Sequence, residues 1–307
     1  MASKQFQNIL HHLTNLNYSQ LKKLRHEVES NIANNQVGQA IADHEETISH
    51  CLHCDSHELN RWGMTRQGIQ RFKCKSCNKT FNALTDSPLY RMKKSEKWIE
   101  YSKLMWEGVS LRKSAKALNI TLRTSFRWRH MFIKAPASYN PSELTGVIEA
   151  DETFLPESFK GKRVINRKSR KRGGGKIKQV PIFIALDRSG VVSHKVLERN
   201  TKENIQAQLK PLLSSGSVLC TDGNLSYKGI AKELDIDHKR LIGIDNIRII
   251  DGIYHIQTLN NYMKRFKGWL KRFCGIGTYY IENYLSWFRF MEGNTEYSDQ
   301  TWITEAL

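Results

Sequence analysis

Residues 145–154 read "TGVIEADETF", and the fold of the second half of the chain turns on this run and its neighbours. It is the first of three β-rich runs, with "QVPIFIALDRSG" at 179–190 and "VVSHKVLE" at 191–198 after it. A helical stretch, "TKENIQAQLKPLL" (201–213), leads into a fourth strand, "SVLCTDG" (217–223). A second helix, "LSYKGIAKEL" (225–234), and a short strand, "HKRLI" (238–242), complete the series. Three strands joined as hairpins, followed by alternating helix and strand, predict one mixed α/β sheet.

That order is the arrangement of ribonuclease H, and it gives two acidic residues a purpose. Asp151 lies at the end of the first strand and Asp222 at the end of the fourth. These strands can be neighbours, which would bring both carboxylates to one edge of the sheet. Close carboxylates repel unless a cation sits between them, and oxygen-rich sites of this kind hold Mg2+ or Mn2+. A metal pair roughly 3.5–4 Å apart activates a water or a 3′-hydroxyl and stabilises the leaving oxygen. A single Asp at a strand end is often only a turn former. The pair gains meaning from the basic chain around it.

The net charge is +18, unevenly placed. Residues 1–50 are close to neutral, residues 51–140 carry +12, and residues 160–178 hold ten Lys or Arg and no acid. Concentrated positive charge of this kind suits a polyanion, above all double-stranded DNA. The longest apolar runs are too short to span a bilayer, and the start "MASKQFQNILHHL" has no secretory pattern. The expected setting is the cytoplasm, at the nucleoid, with no membrane partner.

Four of the six cysteines form two pairs: Cys51 and Cys54, then Cys74 and Cys77 after a gap of 19 residues. Each CxxC pair suits a tight knuckle, and two knuckles complete a tetrahedral Zn2+ site. The residues between them predict a short hairpin turning at Gly68. Buried or redox-active thiols are the alternative reading. His53 and His57 are surplus to four thiolates, and Cys220 and Cys274 read as core residues.

A helix capped by Ser95 comes next, and then the cadence of a helix-turn-helix in "SLRKSAKALNITLRTSFRWRHMF" (110–132). Ser110 starts the first helix, Ala115 and Leu118 pack it, "NIT" makes the turn, and Thr121 caps the second. The second helix would offer Arg123, Thr124, Arg127 and Arg129 to a DNA groove, with Phe126 and Trp128 packing behind. A purely structural helix pair is the alternative. Residues 3–34 predict two short helices, the second capped by Ser19, and Pro136 and Pro141 mark a linker.

Three blocks, "VIEADETF", "LCTDGNLSYKGI" and "HIQTLNNYMKRFKGWLKRFCGIGTYYIENYLSWFRF", resemble those of the transposases of insertion-sequence family 1595, over about residues 47 to 295. The resemblance implies DDE-type cutting and joining of a mobile element's terminal repeats, with divalent metal and a homo-oligomer. In that family the third block reads His-x-Asn-Thr-x, then Glu or Asn, with a Lys seven residues later. His255, Thr258, Asn260 and Lys267 stand at those positions, the DDNK form, while Gln257 departs from the usual Asn. The resemblance therefore implies Asp151, Asp222 and Asn260 as metal ligands and Lys267 as a further catalytic residue.

The helix of that block can be read on its own terms. At 100° per residue, Asn260, Lys264, Lys267 and Lys271 fall on one stripe. Leu259, Tyr262, Met263, Phe266, Leu270 and Phe273 fill the adjoining apolar face, with Trp269 at its edge. The helix should dock on a core and present Asn260 with the lysines, where Lys264 and Lys271 would contact DNA. A solvated charge stripe headed by a capping Asn is the plainer reading. Glu149, on the strand face of Asp151, would partly compensate for the charge an amide ligand lacks, although acids flanking a catalytic one are often incidental, whereas Glu152 points the other way.

The expected architecture is a multidomain α/β chain. It comprises a helical segment (1–46), a zinc ribbon (47–90), a helix-turn-helix (91–136) and a ribonuclease-H-like catalytic domain (141–295). A basic loop (160–178) within the last would contact DNA through Lys168, Arg170, Lys171 and Arg172. The expected function is a transposase of a bacterial or archaeal insertion sequence. The alternatives are an inactive transposase-derived DNA-binding protein or repressor, and an RNA or Holliday-junction nuclease on the same fold.

Overall fold

The computed structural model describes residues 4–162, 164–165, 178–242, 248–294 and 301–307. The chain divides into two compact units. The first begins with α1 (Lys4–Leu13) and α2 (Tyr18–Glu46). The cap of α2 is Asn17, not Ser19: Asn17 accepts the Gln20 N–H at 3.0 Å, and Gln20 accepts the Asn17 N–H at 2.9 Å. Two end-of-helix N–H groups are thus satisfied reciprocally, which a cap two residues later would not achieve. The helix also runs well past residue 34. Val37, Ala40 and Ile41 bury at its far end, and that packing outweighs the weak helix formers before them.

Strands β1 (Leu59–Met64), β2 (Gln70–Cys74) and β3 (Thr80–Asn82) form an antiparallel sheet in that order. Gly68, with φ +80°, makes the hairpin turn in the left-handed region that favours glycine. Phe72 and Phe81 stack at 5.7 Å on the buried side with Cys51 and Cys74.

Helix α3 (Trp98–Trp106) follows a short 3-10 turn, Ser95–Lys97. Ser95 therefore does not cap α3, and its hydroxyl donates to Asn34 Oδ1 at 3.3 Å. Helices α4 (Leu111–Ala117) and α5 (Leu122–Phe132) are joined through Asn119 at φ +49°. Thr121 Oγ1 accepts the Thr124 N–H at 3.1 Å and caps α5. Tyr101 packs edge-on against Trp128 at 5.3 Å and stacks on Phe132, so the pair of helices is held on α3 by aromatic contacts.

The second unit opens with α6 (Lys134–Ser138) where the prolines predict a linker. Pro136 sits in the first turn, where its missing N–H costs nothing. Arg289 fastens this helix through the Pro136 carbonyl at 3.0 Å and Asn140 Oδ1 at 3.0 Å.

The chain then runs β4 (Val147–Pro156), β5 (Gln179–Asp187), β6 (Val192–Val196), α7 (Lys202–Leu209), β7 (Val218–Asp222), α8 (Leu225–Leu234) and β8 (Asp237–Leu241). Helices α9 (Gln257–Leu270) and α10 (Ile281–Gly293) complete the unit, and α11 (Thr301–Glu305) belongs to the first. The sheet order is β6-β5-β4-β7-β8. Its first three strands pair antiparallel, and β4–β7 and β7–β8 pair parallel.

Helices α7 and α8 cover one face, where Ile205, Leu209 and Ile230 meet Ile148, Ala150, Phe183 and Leu219. On the other face α9 packs on β4 and β5, and α10 packs on β6. Every residue of β5 but the first is buried, as a strand covered on both sides requires. No helix among the described residues is long and apolar enough to cross a membrane.

Candidate active site

The parallel pairing of β4 with β7 sets Ile148 opposite Leu219 and Glu149 opposite Cys220. Carried two residues on, that register puts Asp151 level with Asp222. Neighbouring strands lie about 4.8 Å apart, and residues two apart share a face. Both aspartates therefore stand on the side of the sheet that α9 covers. Asp222 does end its strand, but Asp151 does not: β4 continues to Pro156 as the partner of β5. What stops near Asp151 is the parallel ladder to β7, so the site opens at a fork between neighbours.

Burial raises the Asp151 carboxyl to about 7, against the pull of the Glu152 N–H. The charges of Asp222 and Glu152 push it further up, and Lys267 pulls it down. The Glu152 N–H reaches Asp151 Oδ1 at 2.7 Å, and the Asn224 N–H reaches Asp222 Oδ1 at 2.9 Å. Two aspartates in each other's field, one of them largely buried, form a donor set that a divalent cation would relieve.

Glu152 lies on the opposite face, as strand alternation requires. There it accepts the hydroxyl of the buried Tyr227 on α8 and an Asn200 amide N–H at 3.4 Å. Tyr227 could not be found from sequence, because nothing in "LSYKGI" distinguishes a core tyrosine from one that holds a carboxylate.

Helix α9 buries Leu259, Tyr262, Met263, Phe266, Trp269 and Leu270. Asn260, Lys264, Lys267 and Lys271 are all exposed on the remaining stripe. Trp269 is fully part of the buried face rather than at its edge. The capping role for Asn260 falls away: the residue before the helix is Ile256, and Asn260 is the fourth residue inside it.

Glu149 is not placed as a substitute ligand. It is completely buried, paired with Arg188 Nη1 at 2.8 Å, and accepts the Leu259 N–H at 2.8 Å. In the sequence Arg188 reads only as part of a turn after a strand, because its partners lie in distant segments of the chain.

In the first unit the four sulfurs of Cys51, Cys54, Cys74 and Cys77 lie within 4.8 Å of one another. They are the one such group of three or more His, Cys, Asp or Glu among the described residues. Cys51 and Cys77 are 3.7 Å apart and Cys54 and Cys74 3.6 Å. Zn–S bonds of about 2.3 Å in a tetrahedron give S–S edges of about 3.8 Å, so the donor set fits Zn2+. Each knuckle closes on a left-handed residue, Asp55 (φ +57°) and Asn78 (φ +58°). The backbone N–H of Cys77 and the thiol of Cys54 hold the Cys74 thiol down at about 6 despite burial, while Cys54 in the same cluster is pushed up to about 12.

On α5, Arg123 and Arg127 are exposed and Thr124 is half-buried. Arg129 is not available to a groove: it is 1% exposed, on the core side with Trp128. The helical period explains this, since residues 125, 128, 129 and 132 form the buried face. Phe126 is partly exposed beside the two arginines and packs on His130, with ring centroids 4.4 Å apart.

Of the basic loop, Lys168, Arg170, Lys171 and Arg172 lie outside the described residues. At its root, Lys160 Nζ donates to the carbonyls of Phe273, Cys274 and Gly275, the last at 2.6 Å. Lys178 pairs with Glu157 at 3.2 Å. Lys160 is thereby tied to the fold, whereas Lys178 remains 74% exposed.

The family model for the ISXO2-like transposase domain matches residues 143–293. A curated relative is described as an uncharacterized protein in transposable element ISH50 of Halobacterium salinarum. It is 23% identical over 252 residues, which are 78% of this chain and 84% of the relative. Two solved structures show a weaker likeness. The simian T-cell lymphotropic virus intasome in complex with PP2A regulatory subunit B56 gamma has a TM-score of 0.31 at 11% identity, covering 61% of this chain and 66% of that one. The Mos1 transposase paired-end complex with the left transposon end has a TM-score of 0.30 at 13% identity, covering 68% and 74%.

Proposed function

We propose that this chain, with residues 143–293 matching the ISXO2-like transposase domain, is the transposase of an insertion sequence that cuts and joins DNA in a divalent-metal-dependent reaction. The observation that carries this reading is the β4–β7 register, which levels Asp151 with Asp222 beneath the helix bearing Asn260 and Lys267. Asp151, Asp222 and the Asn260 amide oxygen would hold Mg2+ or Mn2+. Bound there, a metal pair supplies Lewis-acid activation of the attacking hydroxyl and stabilisation of the leaving oxygen.

The protein groups divide the remaining work. An amide ligand brings no negative charge, so the ion it helps to hold binds more weakly than with three carboxylates. Lys267 lies two turns from Asn260, about 10 Å along the axis, where it can grip the DNA backbone beside the scissile phosphate. Lys264 and Lys271 extend that contact along the same stripe. A homo-oligomer fits the need to bring two element ends together.

End-labelled DNA carrying the terminal repeats should be cleaved in Mg2+ and left intact in EDTA. Asn260→Ala should cleave far more slowly and require more Mg2+, whereas Asn260→Glu should tighten the metal. Equal cleavage by Asn260→Ala across a magnesium titration would remove Asn260 from the site. Cleavage unaffected by EDTA would sink the metal-dependent reading altogether.

The arginines of α5 are assigned to recognition of the ends. Arg123→Ala with Arg127→Ala should lower the preference for end DNA over random DNA by about 1–3 kcal/mol per lost base contact. Lys264→Ala with Lys271→Ala should weaken binding to all DNA alike and flatten its salt dependence. Competition binding at two salt concentrations separates the two behaviours. An equal loss of preference from both pairs would overturn this division.

A further inference from the structure

Glu149 sits two residues before Asp151 on the same face of β4 and has no exposed surface. A carboxylate buried that deeply is expensive unless it is paired. Its partners come from two other elements. Arg188, in the turn after β5, places Nη1 2.8 Å from Glu149 Oε1. His255 Nδ1 lies 3.5 Å from the same oxygen, and the Leu259 N–H donates to Oε2 at 2.8 Å.

Arg188 reaches further. Its guanidinium donates to Thr258 Oγ1 at 2.9 Å and to the Ile253 carbonyl at 3.1 Å, and lies against both ring nitrogens of His255 at 3.3 Å. The first turn of a helix has N–H groups with no partner inside the helix, and Ile256 supplies no side-chain cap to α9. The buried Glu149 caps the Leu259 N–H from a strand of the sheet, and His255 Nδ1 accepts the Gln257 N–H at 3.3 Å.

We propose that the Glu149–Arg188 pair is a positioning device that fixes the height and rotation of α9 over the sheet, and with it the third ligand of the metal site. Asn260 follows directly on Leu259, the residue bonded to Glu149. A slip of one residue along the helix would turn Asn260 by 100° and move it 1.5 Å along the axis. Arg188 itself touches neither metal nor DNA in this role. The forked guanidinium matters because Nη1 meets Glu149 and Thr258 while Nη2 meets the Ile253 carbonyl, a two-point spread that the single nitrogen of an ammonium does not have. His255 and Thr258 then serve as seats for that fork. The inference rests on the metal site proposed for Asp151, Asp222 and Asn260.

Iron-directed cleavage of the full chain tests it. Fe2+ with ascorbate and hydrogen peroxide cuts the backbone beside a divalent-metal site, and fragments near residues 151, 222 and 260 are expected from the parent. Arg188→Met should keep the cuts near 151 and 222 and lose the one near 260, with Fe2+ affinity falling about tenfold to a hundredfold. Arg188→Lys keeps the charge beside Glu149 and should show a weakened cut near 260, which covers the case in which Arg188→Met fails to fold. A parent-like pattern from both variants would overturn the positioning role and leave the metal site standing. A parent with no cuts near 151 and 222 would remove the metal site, and this inference with it.

Discussion

Asp222→Asn is expected to lower strand cleavage and strand transfer by a factor on the order of 10³ or more, while binding of element ends changes little. The substitution keeps the size of the side chain and its acceptor oxygen for the Asn224 N–H. What it removes is a negative charge level with Asp151 on the neighbouring strand. That charge would hold the cation in the ground state and balance it as the phosphorus centre becomes crowded with oxygens. The DNA contacts assigned to α5 and to the α9 lysines are untouched, so a binding assay and a cleavage assay should diverge. Asp151→Asn should behave alike. Near-parental cleavage by Asp222→Asn would place the chemistry elsewhere.

Cys74→Ser is expected to have the second large effect, on folding rather than chemistry. Structural zinc sites contribute about 10–16 kcal/mol of binding free energy, and that energy is also folding energy. The three strands of the ribbon bury little beyond Phe72, Phe81 and the cysteines themselves, so they have no independent core to fall back on. Elemental analysis should drop from about one zinc per chain to nearly none. Limited proteolysis should open residues 47–85 while the second unit stays resistant. Full zinc retention by Cys74→Ser would refute the four-thiolate site.

The resemblance of residues 143–293 to a transposase domain was legible from three blocks, at 147–154, 219–230 and 255–290. The cysteine quartet was equally legible, since two CxxC knuckles at that spacing leave few geometries. Surface assignments fared less evenly. Arg129 reads like Arg123 and Arg127 when charge alone is considered, yet the helical period turns it into the core. Ser19 and Ser95 look like caps by residue type, but capping depends on backbone geometry, and Asn17 and a 3-10 turn hold those places.

By itself, the sequence determined the strands of the second unit, their order with α7, α8 and α9, and the mixed sheet, because hydrophobic period and turn residues are local properties. It also determined that α9 would bury one face and expose Asn260 with three lysines. Only the tertiary structure decided what holds that helix in place. Glu149 looked like a spare ligand because it shares a strand face with Asp151. The fold instead buries it against Arg188, 39 positions away, and against the first turn of α9, 110 positions away. A carboxylate's role is set by the charges and N–H groups around it, and those arrive from distant segments only when the sheet and its helices close.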